Sequence, residues 1–299
     1  MYTFHSTKEL LELTHKHKKS MSDITILQEM QQSGKSKAEV IARMERRLKV
    51  MKTAVEKGLK NGGKSVSGLS GGDAKCLYNY KAHKMMLSET AIISIAYAIA
   101  TGEHNACMGQ IVAFPTAGAS GVLPGVLFAA QKTQGYSDKA VNKALFAAAG
   151  IGIIIGENAT LSGAEGGCQA EIGSAVAMAA GALTELRGGT PEQCANAAAL
   201  GLKNLLGLTC DPLGGLVEVP CIKRGGILST LALAASDMAI AGIKSFVPFD
   251  EVVEAMSHIG KMISPRLRET ALGGLAITKT GEKIKKKLGF NANGISNLF

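Results

Sequence analysis

The sequence predicts an all-α fold, a large helical domain whose glycine-rich loops form the working surface. Three observations carry that expectation. Helix-length apolar segments recur along the chain, sustained alternation of period two is absent, and helix-start signals precede several of the segments.

The first starts are Ser6-Thr7-Lys8-Glu9 and Ser36-Lys37-Ala38-Glu39. In each, a serine hydroxyl and a glutamate three residues on can satisfy free N–H groups of the first turn. After the second, Ile41, Met44, Leu48, Met51, Val55 and Leu59 fall three or four apart and line one helix face, until Asn61-Gly62-Gly63 stops the run. Residues 1–60 therefore read as a basic helical N-terminal arm and 61–299 as the main domain. Further helices are expected at about 84–101, 137–155, 172–187, 191–206, 226–243 and 250–262. Thr190-Pro191-Glu192-Gln193 gives the fourth of these an N-cap, a first-turn proline and a capping-box partner. The alternative is an α/β fold, because an apolar run such as Gly150 to Gly156 can be a buried strand.

Composition excludes several classes. With 46% hydrophobic and 19% charged residues, the 299-residue chain has the material for a substantial core and is not disordered. The longest run free of charged, amide, histidine and hydroxyl residues, Ala144 to Gly156, falls short of the roughly 18 a membrane span needs, so a soluble protein is expected. The N-terminus lacks the apolar core and cleavage site of a secretory signal, which points to the cytoplasm and to reduced cysteines. The net charge of +9 sits at the ends: residues 1–60 hold 13 basic against 7 acidic groups, 261–299 hold 8 against 2, and the centre is mildly acidic. With no Trp and no nucleic-acid module, the basic ends read as solvated faces or as docking surfaces for an acidic partner.

Glycine-rich segments interrupt the helices: SVSGLSGGDAK (65–75), CMGQIVAFPTAGASG (107–121), LSGAEGGCQAE (161–171) and CDPLGGLVEVPC (210–221). Small hydroxyls beside glycines expose backbone N–H groups suited to an anion or carboxylate, although any one segment alone is also an ordinary tight connection. None fits GxxxxGK[ST] or GxGxxG. Of the six cysteines, Cys168, Cys210 and Cys221 lie in these loops. Cys194 and Cys76 read as core, and Cys107 opens a motif and could reach a site. A disulfide, a metal site and simple burial each remain open for the Cys210–Cys221 pair. Three loop thiolates could hold three irons of a [4Fe-4S] cluster and leave the fourth open as a Lewis acid, but the spacing matches no compact ferredoxin or zinc pattern. The histidines form no metal pair. His5, His15 and His17 read as surface residues, His83 and His104 as ordinary polar ones.

In register and order, SGLSGGDA, MGQIVAFPTAGASGVLPG, SGAEGGCQAEIGSA and CDPLGGLVEVPC resemble the α chain of the bacterial iron-sulfur-dependent L-serine dehydratases, from about residue 65 onward. The resemblance implies a mainly helical catalytic domain converting L-serine to pyruvate and ammonia without pyridoxal phosphate. It implies Cys168, Cys210 and Cys221 as ligands of a [4Fe-4S] cluster, with Pro212, Gly214, Gly215 and Pro220 shaping the loop between the last two. Thr116, Ala117 and Gly118 become candidate substrate contacts, and Thr116, Ser67 and Ser70 candidate catalytic residues, with helix capping the plain alternative for the serines. Fused members carry an SSHT-like motif that is absent from residues 1–60, so a separate β chain with an ACT-type regulatory domain is expected to complete the site. Two rivals remain: a pyridoxal-phosphate lyase using Lys75, and a noncatalytic scaffold subunit.

Overall fold

The computed structural model of the chain describes residues 2–60, 63–80 and 85–289. Thirteen α-helices follow in order among them: α1 (Thr7–His17), α2 (Met21–Ser33), α3 (Lys37–Lys60), α4 (Asp73–Tyr78), α5 (Glu89–Ala106), α6 (Val122–Gln134), α7 (Asp138–Asn158), α8 (Gly163–Gly166), α9 (Ser174–Leu186), α10 (Pro191–Lys203), α11 (Cys221–Ile240), α12 (Phe249–Met262) and α13 (Lys279–Lys287). The described residues contain no sheet. The fold is all-α, and the Gly150 to Gly156 run lies inside α7.

The start signals act as their chemistry predicts. The Thr190–Gln193 capping box is complete, and Ser36 and Glu39 exchange side-chain-to-backbone bonds of 3.3 and 2.9 Å. At α1, Ser6 caps Glu9 N, whereas the Glu9 carboxylate reaches one residue further, to His5 N at 2.6 Å. The Asp250 carboxylate of α12 accepts from Thr7 N (2.7 Å) and Lys8 N (3.1 Å), so α1 starts against α12. Phe4, Leu10, Met21 and Ile24 are buried in the same core as α7 and α9.

That core centres on α9, where every residue from Ser174 to Thr184 is buried. By length and composition α7 alone among the described helices is apolar enough to cross a membrane, because single charges interrupt its apolar run without lowering the average much. Yet 67% of its most apolar window is buried, and it packs between α2 and α9. It is a core helix.

Several helices depart from the expected set: α5 runs Glu89–Ala106 rather than about 84–101, the short α4, α8 and α13 match no expected segment, and two further departures have a clear cause. No segment was expected at α6, whose Pro124 reads as a breaker; it lies in the first turn, where the missing N–H has no partner to lose. α11 begins at Cys221 rather than near 226, because Gly225 and Gly226 sit inside the helix, Gly226 at a close crossing with α5. A Cβ on Gly226 would come within 2.7 Å of Ile99 Cγ1. Cys194 is fully buried, as expected, but Cys76 is exposed on the short α4, whose inward side is occupied by Ala74 packed against Ile99 and Ala100 of α5. Asn61, Gly62 and His83 lie outside the described residues.

Small residues set the spacing of the layers. A Cβ on Gly58 of α3 would fall 2.0 Å from the Ala100 carbonyl oxygen of α5. Alanine is intrinsically the better helix former by about 1 kcal/mol, but overpacking against backbone that must shift costs about 1–3 kcal/mol. The clash wins. Gly58→Ala is expected to lower the urea unfolding free energy by roughly 1–2 kcal/mol, and an unchanged or raised value would contradict the close α3–α5 approach.

Candidate functional site

The site forms where three irregular segments meet at the N-terminal end of α9. After α8, Gly167 takes a left-handed φ of 76°. Its Cβ-less face lets the Leu208 carbonyl approach, since an added Cβ would be 2.9 Å from that oxygen. Cys168 follows, then a π-helical turn (Gln169–Gly173) that runs into α9. Such turns recur at functional sites because the wider winding re-aims side chains. The turn is stitched to its neighbours: Gln169 N donates to Leu208 O (3.0 Å), Gln169 Oε1 accepts from Gly207 N (2.9 Å) and Gln169 Nε2 donates to Met256 O (3.0 Å).

Cys210 is fixed from the other side. It pairs with the C-terminal segment in an isolated parallel bridge, its N–H donating to Leu267 O (2.9 Å) and its C=O accepting from Glu269 N (2.8 Å). From Asp211 the chain loops through Gly214 and Gly215, both at positive φ, and closes with Leu213 N donating to Val219 O (2.9 Å). Cys221 is the first residue of α11.

These segments bring Cys168, Glu171 and Cys210 together, with one ligand atom from each lying within 4.8 Å of the others. Cys221 is buried close enough to feel charge on Cys168 and Glu171. No disulfide joins the cysteines. Gly118 closes the site, since a Cβ there would meet Glu171 Oε1 at 3.6 Å and Val217 Cγ1 at 3.1 Å, and one on Gly163 would clash with Glu171 Oε2 at 2.5 Å.

One cation holds this arrangement. Arg224, one turn into α11, donates from Nη1 to Cys168 Sγ (3.3 Å) and Thr209 O (2.8 Å), and from Nη2 to Asp211 Oδ1 (3.0 Å). Its side chain is only 16% exposed and that of Asp211 7%. The other Asp211 oxygen accepts from Leu275 N at 2.8 Å.

The electrostatics separate the three thiols. The Cys210 thiol, donating to Cys168, and the Arg224 cation hold Cys168 below the ordinary thiol range against the effect of burial. Cys210 is driven up by giving that hydrogen bond and by burial. Burial, with negative charge on Cys168, pushes Cys221 up to about 12. Burial also raises Glu171, which the neighbouring Thr116 hydroxyl partly offsets and Glu269 reinforces.

The hydroxyl candidates divide between two carboxylates. Thr116 stands beside Glu171, and its Oγ1 accepts from Ala119 N at 3.3 Å. The hydroxyls of Ser67 (2.7 Å) and Ser70 bind the two oxygens of Glu218, which is 7% exposed, and so clamp the 65–70 loop to the 210–221 loop. Ala117 accepts from Ser120 through its carbonyl (2.7 Å), while the N–H groups of Thr116, Ala117 and Gly118 make no hydrogen bond among the described residues. Cys107 lies near Glu103 and Glu218, with its pKa raised by burial and by both carboxylates. His104 is buried under Gly109, whose Cβ would strike the ring, and Lys75 is exposed on α4.

Glu171, Arg224, Asp211 and Glu218 were not singled out by sequence. The available signal was helical spacing: Glu171 follows Cys168, and Arg224 follows Cys221, by three residues, which puts each pair on one helix face.

The sequence matches the family described as serine dehydratase alpha chain over residues 16–276. It is 48% identical over 286 residues to the probable L-serine dehydratase, alpha chain, of Bacillus subtilis (strain 168), with 95% of each chain covered. It is 39% identical over 282 residues to the L-serine dehydratase, alpha chain, of Peptoniphilus asaccharolyticus, covering 94% of this chain and 97% of that one. To the L-serine dehydratase TdcG of Escherichia coli (strain K12) it is 38% identical over 288 residues, which is 92% of this chain and 62% of that longer relative.

Removing the cation makes its influence measurable. In metal-free protein, ultraviolet thiolate absorbance followed against pH, with Cys168→Ser identifying that residue's share, should show Cys168 ionising below the ordinary thiol range. Arg224→Gln should move the step to higher pH, because loss of a nearby positive charge disfavours the anion. An unmoved step would mean that Arg224 does not set the charge on Cys168.

Proposed function

The chain belongs to the serine dehydratase alpha chain family, and from that premise we propose that it converts L-serine to pyruvate and ammonia on a [4Fe-4S] cluster, together with a separate β chain. The observation that carries the reading is the convergence of Cys168, Cys210 and Glu171, flanked by Cys221, beneath a buried arginine. The donor set suits such a cluster. Sulfur ligands select iron-sulfur centres, ligation requires thiolates, and Arg224 supplies positive charge where three buried anions would otherwise repel.

Cys168, Cys210 and Cys221 would hold the cluster, which when bound supplies an open iron able to act as a Lewis acid toward the carboxylate and β-hydroxyl of serine. The protein's own groups orient the substrate. The unpaired N–H groups of Thr116, Ala117 and Gly118 are free to receive a carboxylate, at the same loop that covers Glu171. Glu171, raised by burial, is suited to hold a proton taken from the substrate α-carbon at one of its carboxyl oxygens. The Thr116 hydroxyl beside it fixes which oxygen is used. Overall, serine loses water to give aminoacrylate, and a second water hydrolyses the imine tautomer to pyruvate and ammonia. Glu218, held by Ser67 and Ser70, keeps the two glycine-rich loops in register. In this reading the two serines position the site rather than touch the reacting atoms.

The alpha-chain names of the relatives and the extra length of the E. coli protein support the companion chain. A regulatory ACT-type domain on it is part of the same proposal.

Chain reconstituted with iron and sulfide without oxygen, and mixed with its companion chain, is expected to form pyruvate from L-serine. Cys168→Ser, Cys210→Ser and Cys221→Ser should each lower bound iron and sulfide and reduce pyruvate formation to background. Full iron content and full activity in all three variants would overturn the ligand assignment. Ser70→Ala should weaken activity while leaving iron content unchanged, since it loosens Glu218 without touching a thiol; loss of iron instead would move Ser70 into the ligand shell.

A further inference from the structure

The connection between α5 and α6 leaves backbone unpaired on the surface. It starts at Met108, which is 80% exposed and left-handed, with a φ of 61°. Residues 110–113 then form neither helix nor turn, and none of their N–H or C=O groups makes a hydrogen bond among the described residues. Ile111 and Val112 are only half-buried. A bare run of backbone donors and acceptors with apolar side chains is the template to which an extended peptide adds as a strand.

The neighbouring surface states the charge of the occupant. Arg43, Arg46 and Arg47 of α3 line a groove of about 460 Å³ with residues 110–113, and no acidic side chain lines it. Arg43 is engaged by Glu29 at 3.2 Å. Arg46 and Arg47 are exposed and have no carboxylate partner among the described residues. A small anion would satisfy the guanidinium groups and leave the backbone edge unpaired. A second copy of the chain would bring its own net charge of +9 to a basic groove.

We propose that residues 110–113, with Arg46 and Arg47, are the docking edge for an acidic, extended segment of the companion chain. This rests on the two-chain reading above. The edge runs directly into Thr116, Ala117 and Gly118, so a strand added there fixes the loop that faces Glu171. Docking and substrate binding then share one stretch of backbone.

The test mixes the purified chain with its companion chain and follows amide hydrogen exchange and calorimetric affinity at two salt concentrations. Amides 110–113 should exchange fast in the isolated chain and slow in the complex. The double variant Arg46→Glu, Arg47→Glu should bind about tenfold more weakly or worse and lose most of the salt dependence, with iron content and thermal melting unchanged. Equal affinity with unprotected amides would sink the surface while leaving the two-chain enzyme intact. Pyruvate formation by the α chain alone, with no complex at all, would remove the companion and this proposal together. The same protection from inorganic phosphate alone would assign the groove to a small anion and overturn the strand.

Discussion

The site depends on one buried cation. Sulfur and carboxylate groups drawn out of water lose hydration worth several kcal/mol per charge unless opposite charge comes with them. Arg224 brings it, and its planar fork lets one side chain serve Cys168, the Thr209 carbonyl and Asp211 at once. The charge balance and the shape of the 209–211 loop are therefore fixed by the same group. A lysine at this position would carry the charge but could not span three acceptors in one plane.

Around that contact the irregular segments support each other rather than stand alone. Asp211 receives Arg224 on one oxygen and the Leu275 amide on the other. Cys210 is bracketed by Leu267 and Glu269. The C-terminal segment thus closes over residues that otherwise have no secondary structure to hold them. Beneath, the π-helical turn hands this geometry to α9, the most buried helix, so the position of Cys168 is set by the core.

Most of the architecture was legible because packing writes itself into periodicity. The apolar spacing along α3 and the Thr190 box each mark a helix in the sequence. Pro124 hid α6 and the Gly225-Gly226 pair hid the start of α11, since a breaker in the first turn and a glycine at a close crossing look like loop residues in one dimension. The three loop cysteines stood out by their place in glycine-rich loops, but their spacing matched no compact metal pattern, and only the resemblance to a family joined them into one ligand set. Glu171 and Arg224 escaped because their meaning is relational. Each is an ordinary charged residue until the fold sets it against a sulfur from a distant segment, and only the shared helical face with Cys168 or Cys221 hinted at that.

The most direct measurement is anomalous diffraction at the iron absorption edge from crystals of the chain reconstituted without oxygen. The account predicts a single compact group of iron peaks within bonding distance of the Cys168, Cys210 and Cys221 sulfurs, beside Arg224. Iron located elsewhere, or a Cys221 sulfur turned away from an otherwise formed centre, would contradict it.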